Sequence, residues 1–313
     1  MRAAVLTAPD TVPVCTEFPE PEALPGQETL SLVAAGLHRV VRSIATGHHY
    51  GSTGRYPLVP GVDAVARRSD GVLVYTGFAR PPWGTMAERL ATPLGIPLPA
   101  GADPLAVAAG MNPGMSGFLP LTRHLQQRGA LGTVLVLGAT GMAGRAAVQL
   151  ARALGATRVI AAGRDPGALD ALRDRGAEAV SLAGSPEPLT EAVRADAPSL
   201  VLDYVWGPVA EAAFAALGRR GLDEDDADIS YVQIGSLAGQ DAAMPASLLR
   251  SRRITISGSG SGSASTEQLL ARLPQLIAFI ADGTVDIPYT AYPLERIADA
   301  WAHSGHTRAV VVP

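Results

Sequence analysis

One segment restricts the possible folds of this chain more than any other: Thr133–Asp165, TVLVLGATGMAGRAAVQLARALGATRVIAAGRD. An unbroken apolar run leads into a glycine-rich turn, then a helical stretch, then a second apolar run. Strands without polar alternation suit a parallel sheet covered on both faces, and parallel neighbours need a crossover of this kind. From Gly138 to Gly144 the spacing is Gly-x-x-Gly-x-x-Gly. Read as a dinucleotide fingerprint it is Ala139-x-Gly141-x-x-Gly144, with alanine in place of the first glycine. The physics requires a tight turn after a strand, a backbone able to approach a pyrophosphate, and a helix N-terminus aimed at that anion. Gly141 allows the approach and Gly144 lets the helix pack on the strand. Thr140, Met142 and Ala143 complete the segment expected to face the anion.

Arg164 lies 20 residues past Gly144, at the end of the second apolar run. An acid there binds the ribose 2′-hydroxyl of NAD, whereas a guanidinium suits a 2′-phosphate through paired, charge-assisted hydrogen bonds. NADPH is therefore favoured, although the adjacent Asp165 offers a hydroxyl contact instead.

The rest of the chain is organised around this unit. Residues 1 to about 115 carry short strand-like runs broken by Gly and Pro, among them RAAVLT, ETLSLVAAGL, DAVARR and GVLVYTG. Helical periodicity is weak there, which predicts a β-rich domain. From about 117 to 260, the runs TVLVLGA, RVIAAG, AVSL, SLVLDYV, SYVQIG and RITISGSG alternate with helical segments. That alternation predicts an α/β fold with a doubly wound parallel sheet. After SGSGSGSAS, read as a strand end and loop, one amphipathic helix is expected near Thr266–Ala281. TAYPLERIADAWAHSGHTRAVVVP then reads as strand, helix and closing strand. The acidic run Asp223–Asp228 reads as a solvated loop and Ser185–Leu189 as a turn.

Composition removes whole function classes. A formal net charge of −4 without a long basic run argues against nucleic acid and anionic membranes as partners. No apolar segment approaches the ~18 residues of a membrane span, and the N-terminal residues do not read as a signal peptide. Cys15 is the only cysteine, so no intrachain disulfide forms. A cytoplasmic protein acting on a small molecule is the resulting expectation. All 25 basic residues are arginines. The absence of lysine excludes Schiff-base chemistry, a P-loop lysine and a Tyr–Lys catalytic pair.

With these features, the segments AAGLHRVVRSIATGHHYG, YPLVPGVDAVA, WGTMAERLATP, AGMNPGMSGFLPL and YPLERIADAWAHSGHTRAVVV resemble the medium-chain dehydrogenase/reductase superfamily, on its zinc-free, quinone-oxidoreductase-like side. The resemblance spans nearly the whole chain. It implies a GroES-like, β-rich catalytic domain over 1–116 and 261–313, interrupted by a Rossmann NADP-binding domain over 117–260. It also implies a homodimer, formed where the last Rossmann strand, near Arg253–Gly258, pairs with its twin.

Aligned by motif with zinc-dependent relatives, His38 falls at the first cysteine ligand, Val62 at the histidine, Asp63 at the nearby glutamate and Asn112 at the second cysteine. No metal site is expected from that set. His38 also departs from the asparagine usual in zinc-free relatives. It is a candidate for a hydrogen bond to the nicotinamide ribose, for a proton donor, or for simple packing. Tyr50 lies near the family's pocket tyrosine, with His49 competing for that register. Ser116 matches a cofactor-side hydroxyl and Arg308 an arginine that reaches the pyrophosphate. Gly235, Ser236, Gly258 and Ser259 end the fifth and sixth Rossmann strands, where such sheets bind cofactor.

The function so implied is NADPH-dependent hydride transfer to an activated C=C bond of an enone or quinone, with His38 or Tyr50 stabilising the enolate oxygen. Reduction of a ketone or imine, a non-redox reaction, and NADPH binding without chemistry remain as alternatives.

Overall fold

A computed structural model describes residues 1–219, 221, 226–260 and 262–313. The chain forms two compact units, Met1–Asn112 with Leu273–Pro313, and Pro113–Arg272.

The first unit contributes β1 (Arg2–Val5), β2 (Val14–Glu17), β3 (Glu28–Gly36), α1 (Arg39–Ala45), β4 (Asp63–Arg67), β5 (Leu73–Gly77), β6 (Arg89–Thr92) and β7 (Ile96–Pro97). The long helix α2 (Pro104–Arg128) follows, and the division between the units falls inside it, at Pro113. The second unit continues with β8 (Thr133–Leu137), α3 (Met142–Ala153), β9 (Arg158–Gly163), α4 (Pro166–Asp174), β10 (Glu178–Ser181), α5 (Glu187–Ala195), β11 (Leu200–Asp203) and α6 (Gly207–Leu217). It is completed by β12 (Asp228–Gln233), α7 (Ala246–Ser251), β13 (Arg253–Gly258) and α8 (Thr266–Leu270). The chain then returns to the first unit through α9 (Leu273–Ala281), β14 (Tyr289–Pro293), a 3-10 turn at Leu294–Arg296, α10 (Ile297–Ala302) and β15 (Arg308–Val312).

In the second unit six parallel strands lie in the order β10-β9-β8-β11-β12-β13. The order reverses between β8 and β11, the position where open α/β sheets bind ligands at their carboxyl ends. All five residues of β8 and all four of β11 are buried, because helices cover both faces. The core is built from Leu135, Ile160, Val201, Phe214 and Tyr231 with their neighbours.

The first unit holds a mainly antiparallel sheet ordered β14-β15-β3-β4-β5-β7, with β6 pairing β3, and a separate β1-β2 pair. The C-terminal segment is stitched in through β15, where Val310 pairs with Gly36 and Val311 with Ala35. Leu30, Leu37, Met86, Leu90, Ile297 and Val311 belong to its core.

Every strand-like run singled out in the sequence is a strand here, and two local readings need correction. The single helix expected near Thr266–Ala281 is two, α8 and α9, because Pro274 in the first turn of α9 cannot donate to a preceding turn. Ser185–Leu189 is not only a turn: α5 starts within it, since a proline in the first helical turn lacks only an N–H that would stay unpaired anyway. Part of the acidic run, Asp223–Asp225, lies outside the described residues; Asp228 opens β12.

Candidate functional site

The glycine turn sits at the carboxyl end of β8. Gly138 directly follows the strand with φ at +87°, a conformation that side chains with a Cβ rarely adopt. Its N–H and that of Ala139 both donate to the Ala162 carbonyl at 2.9 Å, which ties the turn to β9. Ala139 is fully buried, so alanine at the first fingerprint position is a packing residue here. Gly141 is exposed and is the N-cap of α3 without any side-chain cap bond. Thr140, Met142 and Ala143 are half-buried around it. A Cβ on Gly144 would collide with the Gly138 carbonyl oxygen and stand 2.7 Å from Ala139 Cα. Glycine at 144 therefore lets α3 start directly against the strand end. This is a cradle that a side chain would fill, and it leaves a helix N-terminus open to an anion.

Arg164 follows β9 and is exposed. Asp165 is the N-cap of α4, its Oδ1 accepting from Ala168 N–H at 2.9 Å. One carboxylate oxygen of Asp165 is thus committed to the helix. The exposed guanidinium is the group presented at the strand end.

Other expected contacts fall on the same unit. Ser116 Oγ donates to the Pro113 carbonyl at 2.6 Å, with Tyr204 OH 3.4 Å away. Tyr204 directly follows β11 and is buried, which pushes its phenol well above the ordinary range. Gly235 and Ser236 come just after β12, and Gly258 closes β13. The Ser259 N–H donates to the Gln233 carbonyl at 2.8 Å.

The first unit carries His38, Tyr50 and Arg308. His38 directly precedes α1 and is only 1% exposed. Its Nε2 lies 3.0 Å from Asp63 Oδ1, and Asp63 Oδ2 accepts from Tyr75 OH at 2.9 Å. Burial lowers the His38 pKa below its usual value; Asp63 opposes this and Arg308 adds to it. Burial, with Asp63 beside it, holds the Tyr75 phenol well above its usual range. Tyr50 is 76% exposed, stacked on His49 at 4.0 Å between centroids. Arg308 opens β15, donates to the Leu37 carbonyl at 3.3 Å, and keeps a buried Nε without an acceptor. Burial first, then the neighbouring Arg42, pulls its pKa down to about 10, so it stays cationic at neutral pH.

Sequence reasoning missed Gly138 as the turn-former and Tyr75 altogether. Gly138 opened the Gly-x-x-Gly-x-x-Gly spacing and was readable. A single tyrosine in an apolar strand gave no signal.

Comparison with known proteins agrees with this geometry. A family model described as zinc-binding dehydrogenase matches residues 143–281. A probable NADPH-dependent quinone reductase of Emericella nidulans is 30% identical, with all of each chain covered. Among solved structures, a quinone oxidoreductase of Thermus thermophilus, also solved in complex with NADPH, is 26% identical with a TM-score of 0.78, each chain being fully covered. A mycobacterial quinone oxidoreductase shares the fold at a TM-score of 0.81 and 19% identity, again over all of both chains.

The description of the family model implies zinc, and the donors here do not fit one. A catalytic zinc needs three protein ligands. Val62 has no lone pair, Asn112 offers only a weak amide oxygen, and His38 is bonded to Asp63. Among the described residues no group of three His, Cys, Asp or Glu side chains is placed to hold a metal ion. No described helix is long and apolar enough to cross a membrane. A full-length relative at 30% identity, together with this fold, settles the matter: the chain belongs to the medium-chain dehydrogenase/reductase superfamily, on its quinone-oxidoreductase-like side, and is an oxidoreductase.

Proposed function

We propose that the chain reduces an activated carbon–carbon double bond, in an enone or a quinone, with NADPH as its cofactor and without a metal. The observation that carries the reading is the open N-terminus of α3 at the glycine cradle, followed at the end of β9 by an exposed Arg164 beside an Asp165 that caps α4 through one of its oxygens. The names of the relatives point the same way.

When bound, NADPH supplies a hydride. The protein supplies binding and orientation. Backbone N–H groups of Met142 and Ala143 would receive the pyrophosphate, the Gly141 N–H being held by the Gly138 carbonyl at 3.1 Å, and Gly144 keeps the helix close enough to aim them. Arg164 would receive the 2′-phosphate, since a guanidinium can offer it paired hydrogen bonds that an ammonium makes less well. Arg308, cationic and with a buried Nε still lacking an acceptor, is a second anion contact. His38 spends its Nε2–H on Asp63 and is held neutral by burial, so it does not act as the acid at neutral pH. The proton that completes the reduction comes from solvent, with the exposed Tyr50 hydroxyl as the side chain able to relay it.

Loss of the nicotinamide absorbance band against a panel of quinones, enones, ketones and imines tests the reading. Turnover with quinones or enones is expected. Turnover with ketones or imines alone, or with nothing in the panel, sinks it.

A further inference from the structure

A buried polar chain runs through the first unit from Tyr75 through Asp63 to His38. Strand register brings the three together. Tyr75 pairs with Val65, two residues from Asp63 on β4, so Tyr75 and Asp63 emerge on one face of the sheet. His38 lies just past β3, whose Ala34 pairs with the same Val65. All three side chains are buried.

The chemistry of the carboxylate sets the direction of each bond. An ionised carboxylate only accepts. Tyr75 OH donates to Oδ2 at 2.9 Å, and the ring nitrogen 3.0 Å from Oδ1 must donate as well, so Nε2 carries the hydrogen. In a neutral ring the lone pair then sits on Nδ1. That atom is buried and has no hydrogen-bond partner. His38 is also the N-cap of α1, yet its side chain makes no cap bond, so the lone pair is not used by the helix. Buried acceptors without a donor are rare in folded proteins, because the group has given up water for nothing.

We propose that Asp63 and Tyr75 are positioning residues that lock His38 in its Nε2–H tautomer and thereby present Nδ1 as the hydrogen-bond acceptor for a hydroxyl group of a bound ligand. The inference rests on the NADPH-dependent reading above, in which two hydroxyl sources occur: a ribose hydroxyl of the dinucleotide, and the phenolic hydroxyl of a hydroquinone product. Both are neutral O–H donors, the partner a bare imidazole nitrogen needs. Burial keeps the ring neutral, Arg308 adding to it against the opposing charge of Asp63, while the carboxylate holds the one proton on Nε2. The histidine is thus a built acceptor in place of a proton donor.

Nitrogen NMR of the full chain with labelled histidine tests this, the His38 resonances being assigned by their loss in His38→Asn. In the free protein Nδ1 is expected to give a bare, pyridine-like signal and Nε2 a protonated, pyrrole-like one. Nδ1 should shift toward the hydrogen-bonded range when ligand is added. A shift with NADPH alone identifies the ribose as the source. A shift only with NADP⁺ and benzohydroquinone together identifies the product. Asp63→Asn, whose amide can donate as well as accept, should leave His38 a mixture of both tautomers. Tyr75→Phe, which keeps the ring and removes one donor to Asp63, should move the mixture the same way and serves if the first variant does not fold. A protonated Nδ1 in the free protein, an unchanged tautomer in both folded variants, or an Nδ1 signal unmoved both by NADPH that nicotinamide fluorescence reports as bound and by NADP⁺ with benzohydroquinone overturns the inference alone. Fluorescence showing no NADPH binding at all overturns the functional reading, and this inference with it.

Discussion

The most direct test of the glycine cradle separates its two glycines. In Gly144→Ala the new Cβ stands 2.7 Å from Ala139 Cα and closer still to the Gly138 carbonyl oxygen. That is about 1 Å short of an ordinary carbon–carbon contact. Both obstacles are backbone atoms, and both are fixed: Gly138 and Ala139 N–H groups are bonded to the Ala162 carbonyl. The strain cannot be relieved by a rotamer change, so the start of α3 must move. Overpacking of this kind costs about 1–3 kcal/mol, which for a domain of this size lowers Tm by roughly 2–12 °C. Shifting the helix start also spoils backbone donors aimed at the pyrophosphate, and loss of one hydrogen bond to a charged group weakens NADPH binding about 10–100-fold. Gly141→Ala behaves differently. Its φ is −77° and the nearest atom to its Cβ is the Gly138 oxygen at 3.4 Å, so the fold accepts the change for about 1 kcal/mol or less, the difference between glycine and alanine at an N-cap. Its methyl group, however, projects from the exposed helix start where the anion must approach. Calorimetry and nicotinamide fluorescence on the two variants measure both quantities. An unaltered Tm in Gly144→Ala would falsify the steric argument. Wild-type NADPH affinity in Gly141→Ala would show that the turn does not receive the dinucleotide.

Four further outcomes are expected. Arg164→Ala should weaken NADPH by about tenfold, the lower part of the range for a charged pair because the side chain is exposed and screened, and leave NADH affinity unchanged; equal NADPH and NADH affinities in the unmutated protein refute the assignment. Elemental analysis should find no stoichiometric zinc and a chelator should leave the rate unchanged, since Val62 and Asn112 stand at two ligand positions. Light scattering at micromolar concentration should give a dimer mass, because β13 ends the six-stranded sheet with Ile254 and Ile256 only half-buried and a ladder edge to cover; a monomer mass rejects this. The folded His38 holds its proton less tightly than an unfolded histidine at about pH 6.5. Below that pH the unfolded chain binds more protons, so stability should fall as acid is added, with no His38 contribution above it. His38→Asn should flatten part of that slope in urea titrations, the remainder coming from His49 and His124, which are shifted in the same direction.

The sequence by itself determined the parts that depend on local pattern. Continuous apolar runs such as Thr133–Leu137 and Leu200–Asp203 announce buried parallel strands, because only a sheet covered on both faces tolerates them. The spacing from Gly138 to Gly144 announces the turn, since close backbone passage and positive φ are conditions few residues but glycine meet. The closing strand read in TRAVVVP is β15, which pairs with β3. Helix ends were less legible: whether Pro274 or Pro188 starts, breaks or precedes a helix depends on packing that no short window contains. What only the tertiary structure decided is who meets whom. Asp165 turned out to be committed to a helix cap, which left Arg164 as the exposed group at its strand end. His38, Asp63 and Tyr75 are 25 and 12 residues apart in sequence, and their hydrogen bonds exist because three neighbouring strands fix one register. The tautomer of a histidine follows from the partner of its ring nitrogen. A sequence lists the titratable groups, but only the fold sets the distances between them and removes the water that would otherwise satisfy each one separately.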